Sequence, residues 1–346
     1  MSDESRSAAE AERVELVRLT SDRRKDLVQK FSALASLIAL IAAFGVTANA
    51  FFTVNNAMTV SLQTTSIAFL GIGVTVVIIT GGIDLSVGAV LALAGTIAAL
   101  LVKQGWPVPG AMVTGVLVGT LCGLLNGIVV TRLKLAPFIA TLGMMLIARG
   151  TALQLTGAAP VSQLGAEFGV LGNGSLFRTL EMGANGLPRV VFPGIPYPVL
   201  LMVALAFVVA FVLGSLPIGR HIYAVGSNEE AARLSGIDVE TTKMFAYGLS
   251  GTMAGITGIV LMSRLVTAQP NEGIMYELDA IAASVIGGAS LMGGVGTISG
   301  TMIGAFVIGI LRNGLNMNGV SSFIQQIIIG CVVIGTVYID YLRNRR

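Results

Sequence analysis

The chain has 346 residues, 54% of them hydrophobic and 11% charged, with a mean hydropathy of +0.85 and a formal net charge of +3. That balance excludes a water-soluble domain of this length, and no nucleic-acid partner is expected. Its two cysteines, Cys122 and Cys331, sit inside apolar runs and read as small buried hydrophobes, not as a disulfide framework or metal site.

Residues 1–30 form a charged tail that ends in Arg23, Arg24, Lys25 and Lys30. Such a basic cluster holds the start of a first span on the cytoplasmic side, and no cleaved leader is expected, since one would be short and basic with its apolar core nearer the start. A membrane domain then covers 31–342. A span needs about 20 mostly apolar residues, and about ten are expected, some broken or re-entrant, in an all-α polytopic fold. Span one covers Phe31 to Ala50, with a turn marked by Asn55-Asn56. Span two covers Gln63 to Thr80. Gly81-Gly82 then breaks the helix, Asp84 caps a third span from the cytoplasmic side with Ser86 beside it, and that span ends near Val102. Span four runs from Gly110 to Val130 and span five from Pro137 to Leu155. A Gly/Pro-rich connection, Thr156 to Pro196, leads to span six, Tyr197 to Leu216. After a coupling loop at 220–242, span seven covers Lys243 to Val266. Asn271, Glu272, Glu277 and Asp279 cluster in the next turn. Ile281 to Ile286, a glycine-dense break beginning at Gly287-Gly288, and Thr297 to Leu311 make a broken eighth and a ninth span. Asn313 to Ser322 is a polar turn, and span ten, Phe323 to Tyr338, ends in a basic C-terminus at 343–346.

Basic residues fall mostly on the segments this count places inside: Arg132, Lys134, Arg220, Arg233, Lys243 and the C-terminal arginines. Both termini are therefore expected to be cytoplasmic. Gly115 and Gly119, Gly251 and Gly255, and Gly300 and Gly304 have the small-xxx-small spacing of tightly packed membrane helices. The breaks at Gly81-Gly82 and Gly287-Gly288 differ, because irregular backbone at membrane depth is tolerated only inside protein or beside a water-filled cavity.

Between spans six and seven, Ile222 to Glu240 is dense in charge. Ser227 or Asn228 can cap a short helix there, Ser227 and Glu230 have capping-box spacing, and Glu229 and Arg233 form an i,i+4 pair. Gly236 supplies the stop. A helix this short needs something to pack against.

GGIDLSVGAVLALAG at 81–95, PFIATLGMMLIARG at 137–150, NEEAARLSGID at 228–238 and ELDAIAASVIGGASLMGGVGTISGT at 277–301 resemble the permease subunits of ribose-type ABC importers. The likeness runs in order from about Phe51 to Tyr338. Glu230-Ala231-Ala232 followed by Gly236 resembles the EAA loop of such permeases, which docks on an ABC ATPase subunit. The resemblance implies that Asn228, Glu229, Glu230, Ala231, Arg233, Leu234, Gly236 and Asp238 carry the coupling. It also implies a periplasmic substrate-binding protein that selects the solute, a second permease copy or a sister permease, and a monosaccharide cargo. No phosphate-binding GxxxxGK[ST] motif is present, so ATP and Mg are assigned to the partner ATPase and no cofactor to this chain. Nucleosides, autoinducer-type sugar derivatives and branched-chain amino acids are alternative cargoes, and a stand-alone secondary carrier is the competing class. An enzyme is not expected: the only histidine, His221, has no acid, thiol or metal-ligand spacing around it.

Gln63, Thr64, Thr80, Asn126, Asn313, Asn316 and Gln325 are candidates to line a path for a neutral polar solute, with packing against neighbouring helices as the competing role. Gly81, Gly82, Asp84, Ser86, Gly287 and Gly288 are candidate hinge positions. Arg178, Arg189, Arg264, Glu272 and Glu277 are candidate docking charges for the binding protein.

Overall fold

A computed structural model describes residues 33–182 and 188–344. The charged tail expected over 1–30, and Arg345 and Arg346 at the C-terminus, lie outside the described residues. Helices dominate, with very little sheet. In chain order they are α1 (Ala33–Thr47), α2 (Val54–Ile79), α3 (Val87–Lys103), α4 (Val108–Thr131), α5 (Pro137–Thr156), the short α6 (Val170–Asn173) and α7 (Tyr197–Ser215). There follow α8 (Pro217–Ser227), α9 (Glu229–Leu234), α10 (Val239–Leu265), α11 (Tyr276–Ile286), α12 (Ile298–Met317) and α13 (Ser322–Asn344). Six of them, α2, α4, α5, α7, α10 and α12, are long and apolar enough to cross a membrane.

The bundle is built around α2. Every residue from Thr64 to Thr80 is buried, which an apolar, uncharged sequence permits on all faces at once. Its neighbours include α7, α10, α11 and α12. The closest seam is α4 against α10. A Cβ added at Gly119 would run into the Gly251 carbonyl, and one at Gly251 into that of Gly119. Dispersion contacts between backbones this near replace the hydrophobic drive that lipid does not supply. Gly300 and Gly304 do the same against Gly287 and Ala283 of the α11 end. The outer faces of α4, α5 and α7 leave Leu117, Leu121, Leu146, Ile147, Phe207 and Phe211 exposed, a surface suited to hydrocarbon.

Several boundaries differ from expectation. Asn55 and Asn56 do not make a turn. Thr53 caps α2 through an Oγ1 that accepts the Asn56 N–H at 3.2 Å, so the helix begins nine residues before Gln63. Asn313 to Met317 continue α12, and the turn is only Asn318 to Ser321. Glu277 and Asp279 belong to the first turn of α11, where carboxylates suit the positive end of the helix dipole. Asp84 is not a solvent-side cap: it is fully buried. Cys331 is exposed on α13, unlike the buried Cys122. The 156–196 connection carries two antiparallel ribbons that nothing in its Gly/Pro-rich composition foretold. Ser175–Leu176 (β1) pairs with Ile195–Pro196 (β4), and Thr179–Met182 (β2) pairs with Pro188–Phe192 (β3).

Candidate functional site

The charged stretch 222–240 is three pieces: the end of α8, all of α9 and the start of α10. Asn228, in extended conformation, caps α9 by accepting the Ala231 N–H on Oδ1 at 2.9 Å. Ser227 takes no part in a capping box, because it ends α8 and donates its hydroxyl to the Tyr223 carbonyl. After Leu234 the chain reverses at Gly236, whose φ of +82° few other residues adopt. Asp238 then caps α10, accepting from Thr241 N–H at 3.0 Å and Thr241 Oγ1 at 2.6 Å. One face of α9 is anchored, with Ala232 buried against Val225 and Val239. The other face presents Glu230, Arg233 and Leu234, the last 85% exposed.

Glu229 fixes the orientation of that free face. Its carboxylate takes a 2.6 Å bond from Lys243 Nζ on α10 and a 3.4 Å contact from Arg233 within α9. The Lys243 hydrogen bond, with the two positive charges, holds the Glu229 carboxyl below the usual carboxylate range. Hydrogen bonds from Thr241 lower Asp238 likewise. At the same end of the bundle, Arg132 after α4 lies 3.8 Å from Glu240.

Beneath α8 the two glycine breaks meet. Gly294 N–H donates to the Ile79 carbonyl at 2.9 Å, and Tyr223 Oη of α8 donates to the Gly296 carbonyl at 2.8 Å. A side chain at Gly226 would collide with the Ile79 carbonyl and crowd Gly294. The first break is pinned from its other side by Asp84. Its Oδ1 accepts from Ser86 N–H at 3.0 Å and Ser86 Oγ at 2.6 Å, and its Oδ2 accepts from Ser250 Oγ of α10 at 2.8 Å. Asn126 of α4 donates to Ser86 Oγ at 2.9 Å. A buried carboxylate without hydrogen bonds would be costly, and this one has three donors.

The family model described as "Branched-chain amino acid transport system / permease component" matches residues 56–337. The chain belongs to that permease family. It is 41% identical over 321 residues to the ribose import permease protein RbsC of Haemophilus influenzae, covering 92% of this chain and 95% of that one. It is 42% identical to RbsC of Escherichia coli over 308 residues, 89% and 92% of the two chains. To the xylose transport system permease protein XylH of Escherichia coli it is 36% identical, over 92% and 93%. This permease is a multi-pass membrane protein.

Within this permease the seven candidate path residues do not share one wall. Thr64 and Thr80 turn their hydroxyls onto their own helix, to Val60 O at 2.8 Å and Val77 O at 2.7 Å. Asn126 holds Ser86, Asn313 donates to Asn56 Oδ1 at 3.1 Å, and Gln325 donates to Val320 O at 2.8 Å. Asn316 and Gln63 are exposed. Among the candidate hinge residues, Gly287 is pressed against Gly300 and Gly288 has a φ of +101°. Of the docking candidates, Arg178 is exposed between β1 and β2, and Arg189 lies in β3 opposite Glu181, its side chain outside the described residues. Arg264 ends α10, the Glu272 carbonyl accepts from Arg149, and Glu277 lies against Gly88.

Five residues important to this geometry were not singled out for it in the sequence. Lys243 braces α9 from α10. Tyr223 joins α8 to the second break. Arg149 of α5 donates to the carbonyls of Pro270, Glu272 and Gly88, at 2.5, 2.8 and 3.3 Å, tying α3 to the turn before α11. Asp279 and Arg312 form a 2.6 Å ion pair between α11 and α12, with the Asp279 side chain 6% exposed. The signal for that pair was partly present: Arg312 is the one charge on α12, and Asp279 is one of two acids at the start of the otherwise apolar α11.

Proposed function

We propose that the chain is the membrane-spanning subunit of an ABC importer that moves a monosaccharide, of the size of a pentose, inward across a bacterial inner membrane. Relatives named for ribose and xylose support this cargo over the branched-chain amino acids of the family description. Ten spans, α1–α5, α7 and α10–α13, with α11 a partial one, put both termini and α9 on the cytoplasmic side. The basic residues Arg132, Lys134, Arg220, Arg233 and Lys243 at the α9 end agree with that orientation. The chain is a transport subunit without catalysis of its own. A partner ATPase holds ATP and Mg, a periplasmic binding protein delivers the sugar to the opposite end, and a second copy or a sister permease completes the pathway.

The observation that carries the proposal is the continuity from α9 to both glycine breaks. A capped helix with one anchored face and one free face is a docking element. Through α8 it leads to the breaks, where Gly226 packs against the Ile79 carbonyl and Tyr223 donates to that of Gly296. Closure of the ATPase pushes α9, and the breaks convert the push into a change of helix arrangement. In vesicles with ATPase and binding protein, ribose or xylose should accumulate only with ATP, and Glu230→Arg or Gly236→Pro should leave hydrolysis running without uptake. Normal uptake by both variants would sink the coupling role. Uptake without the ATPase would make the protein a stand-alone carrier.

A further inference from the structure

At the end of the bundle opposite α9 lies a cavity of about 200 Å³ between α2, α10, α11 and α12. With 27 residues, α10 is about 40 Å long, so Arg264 near its far end is well removed from the coupling helix. Gln63 and Ser66 of α2, Arg264 of α10, Tyr276 at the start of α11 and Arg312 of α12 line the space. Asp279 stands behind Arg312, its carboxylate oxygens 2.8 and 2.6 Å from one guanidinium nitrogen.

What sets this cavity apart is the state of its polar groups. The side chains of Gln63, Ser66, Arg264 and Tyr276 come from three helices, and none has a hydrogen-bond partner among the described residues. Ser66 is only 6% exposed. Polar groups in a protein's interior are normally satisfied, as the hydroxyls of Thr64, Thr80 and Thr257 are on their own helices and that of Ser250 is by Asp84. Gln63 is exposed and Arg264 and Tyr276 are half-buried, whereas Nε of the lining residue Arg312 is buried without a partner among the described residues. Together these groups leave bonding capacity for an occupant.

We propose that this cavity is a subsite for a single neutral polyhydroxylated solute, a monosaccharide, on the side of the permease that receives it. The inference rests on the importer function proposed above and adds the residues that hold the cargo. A sugar hydroxyl both donates and accepts, so it pairs with an amide, a phenol, a serine hydroxyl and a guanidinium alike. Asp279 matches the Arg312 charge, and the Arg264 guanidinium, without an ion pair among the described residues, is free to donate to sugar hydroxyls. The volume is below the roughly 300 Å³ at which drug-sized pockets begin and equals on the order of seven waters. One sugar ring displaces that water and makes equivalent bonds. A site that holds one ring by a few such bonds binds it weakly enough for the solute to leave again, as transport requires.

The test uses the complete importer in vesicles, with radiolabelled ribose and xylose delivered by loaded binding protein. Ser66→Ala and Tyr276→Phe each remove one hydroxyl and keep the packing, and a Gln63→Ala/Ser66→Ala double variant removes two partners. At about five-fold per neutral hydrogen bond, the single variants should lower maximum uptake about five-fold and the double variant more. The binding-protein concentration at half-maximal uptake should not move, and ATPase activity should persist, showing an assembled complex. Uptake within two-fold of wild type in all three variants overturns the subsite. So does a rise in the half-maximal binding-protein concentration at unchanged maximum rate, which would place these residues on the docking surface. Failure of the wild-type complex to take up either sugar would instead sink the importer reading and the subsite with it.

Discussion

Tyr223 Oη lies 2.8 Å from the Gly296 carbonyl, so a residue five positions before Asn228, the cap of α9, holds the second glycine break directly. The bond spans 73 residues of sequence. It links the element proposed to receive the push to a loop that has no side chains at Gly293, Gly294 and Gly296 to stiffen it. Tyr223→Phe should keep the packing and lose that link. A neutral hydrogen bond contributes about 1 kcal/mol, so uptake per ATP hydrolysed should fall about five-fold while thermal stability changes little. Parallel measurement of sugar accumulation and phosphate release would show it.

Gly226 presses on the other side of the same junction. With the Ile79 carbonyl in the position a Cβ would need, Gly226→Ala must move backbone, not a flexible side chain. Overpacking of this kind costs about 1–3 kcal/mol. The purified variant should therefore melt lower than wild type, whereas Gly236→Ala should lose stability only through its left-handed backbone, since open space surrounds Gly236. Thermal denaturation of the two variants side by side separates the mechanisms.

Protonation of Glu229 should loosen the brace on α9. Its folded-state carboxyl is depressed, chiefly by the Lys243 hydrogen bond. The stabilisation is therefore fully present above the ordinary glutamate value of about 4.3 and is lost as pH falls through the lower folded value. Because the pair is solvent-screened, its worth is at most about 1 kcal/mol. A site-specific titration should find the Glu229 midpoint below about 4.3 in wild type and raised in Lys243→Met. An unchanged midpoint in that variant would show that Lys243 does not hold the carboxylate.

The Asp279–Arg312 pair should show the asymmetry of buried charge. Removing only the cation in Arg312→Met leaves the Asp279 carboxylate without its partner, a loss of about 3 kcal/mol or more. The double variant Asp279→Leu/Arg312→Met should recover most of the stability in detergent. It should not recover uptake if the pair also floors the solute cavity. Melting temperature and sugar accumulation, measured on both variants, test the two statements separately.

Much of this was legible in the residues alone. Apolar runs fixed most helices to within a few positions, because a membrane helix must satisfy its backbone internally and so demands a long uncharged stretch. The α9 unit was legible too, since Asn228, the Glu229–Arg233 spacing and Gly236 act within one or two turns. The capping residue itself stayed undecided between Ser227 and Asn228 until α8 was seen to run up to Ser227. What the chain could not reveal was which faces meet. A helix such as α2, apolar all round, has no polar stripe to orient it. The juxtapositions of Asp84 with Ser250 and of Tyr223 with Gly296 depend on backbone approach at glycines, not on any local pattern. The cavity shared by Gln63, Ser66, Arg264 and Tyr276 is likewise a product of packing among helices distant in sequence. The sequence by itself determined most of the apolar helices, the glycine breaks and the capped α9 turn, because local chemistry governs them. Only the tertiary structure decided how the breaks join and where polar groups stand without partners, because those depend on the close fit of one helix against another.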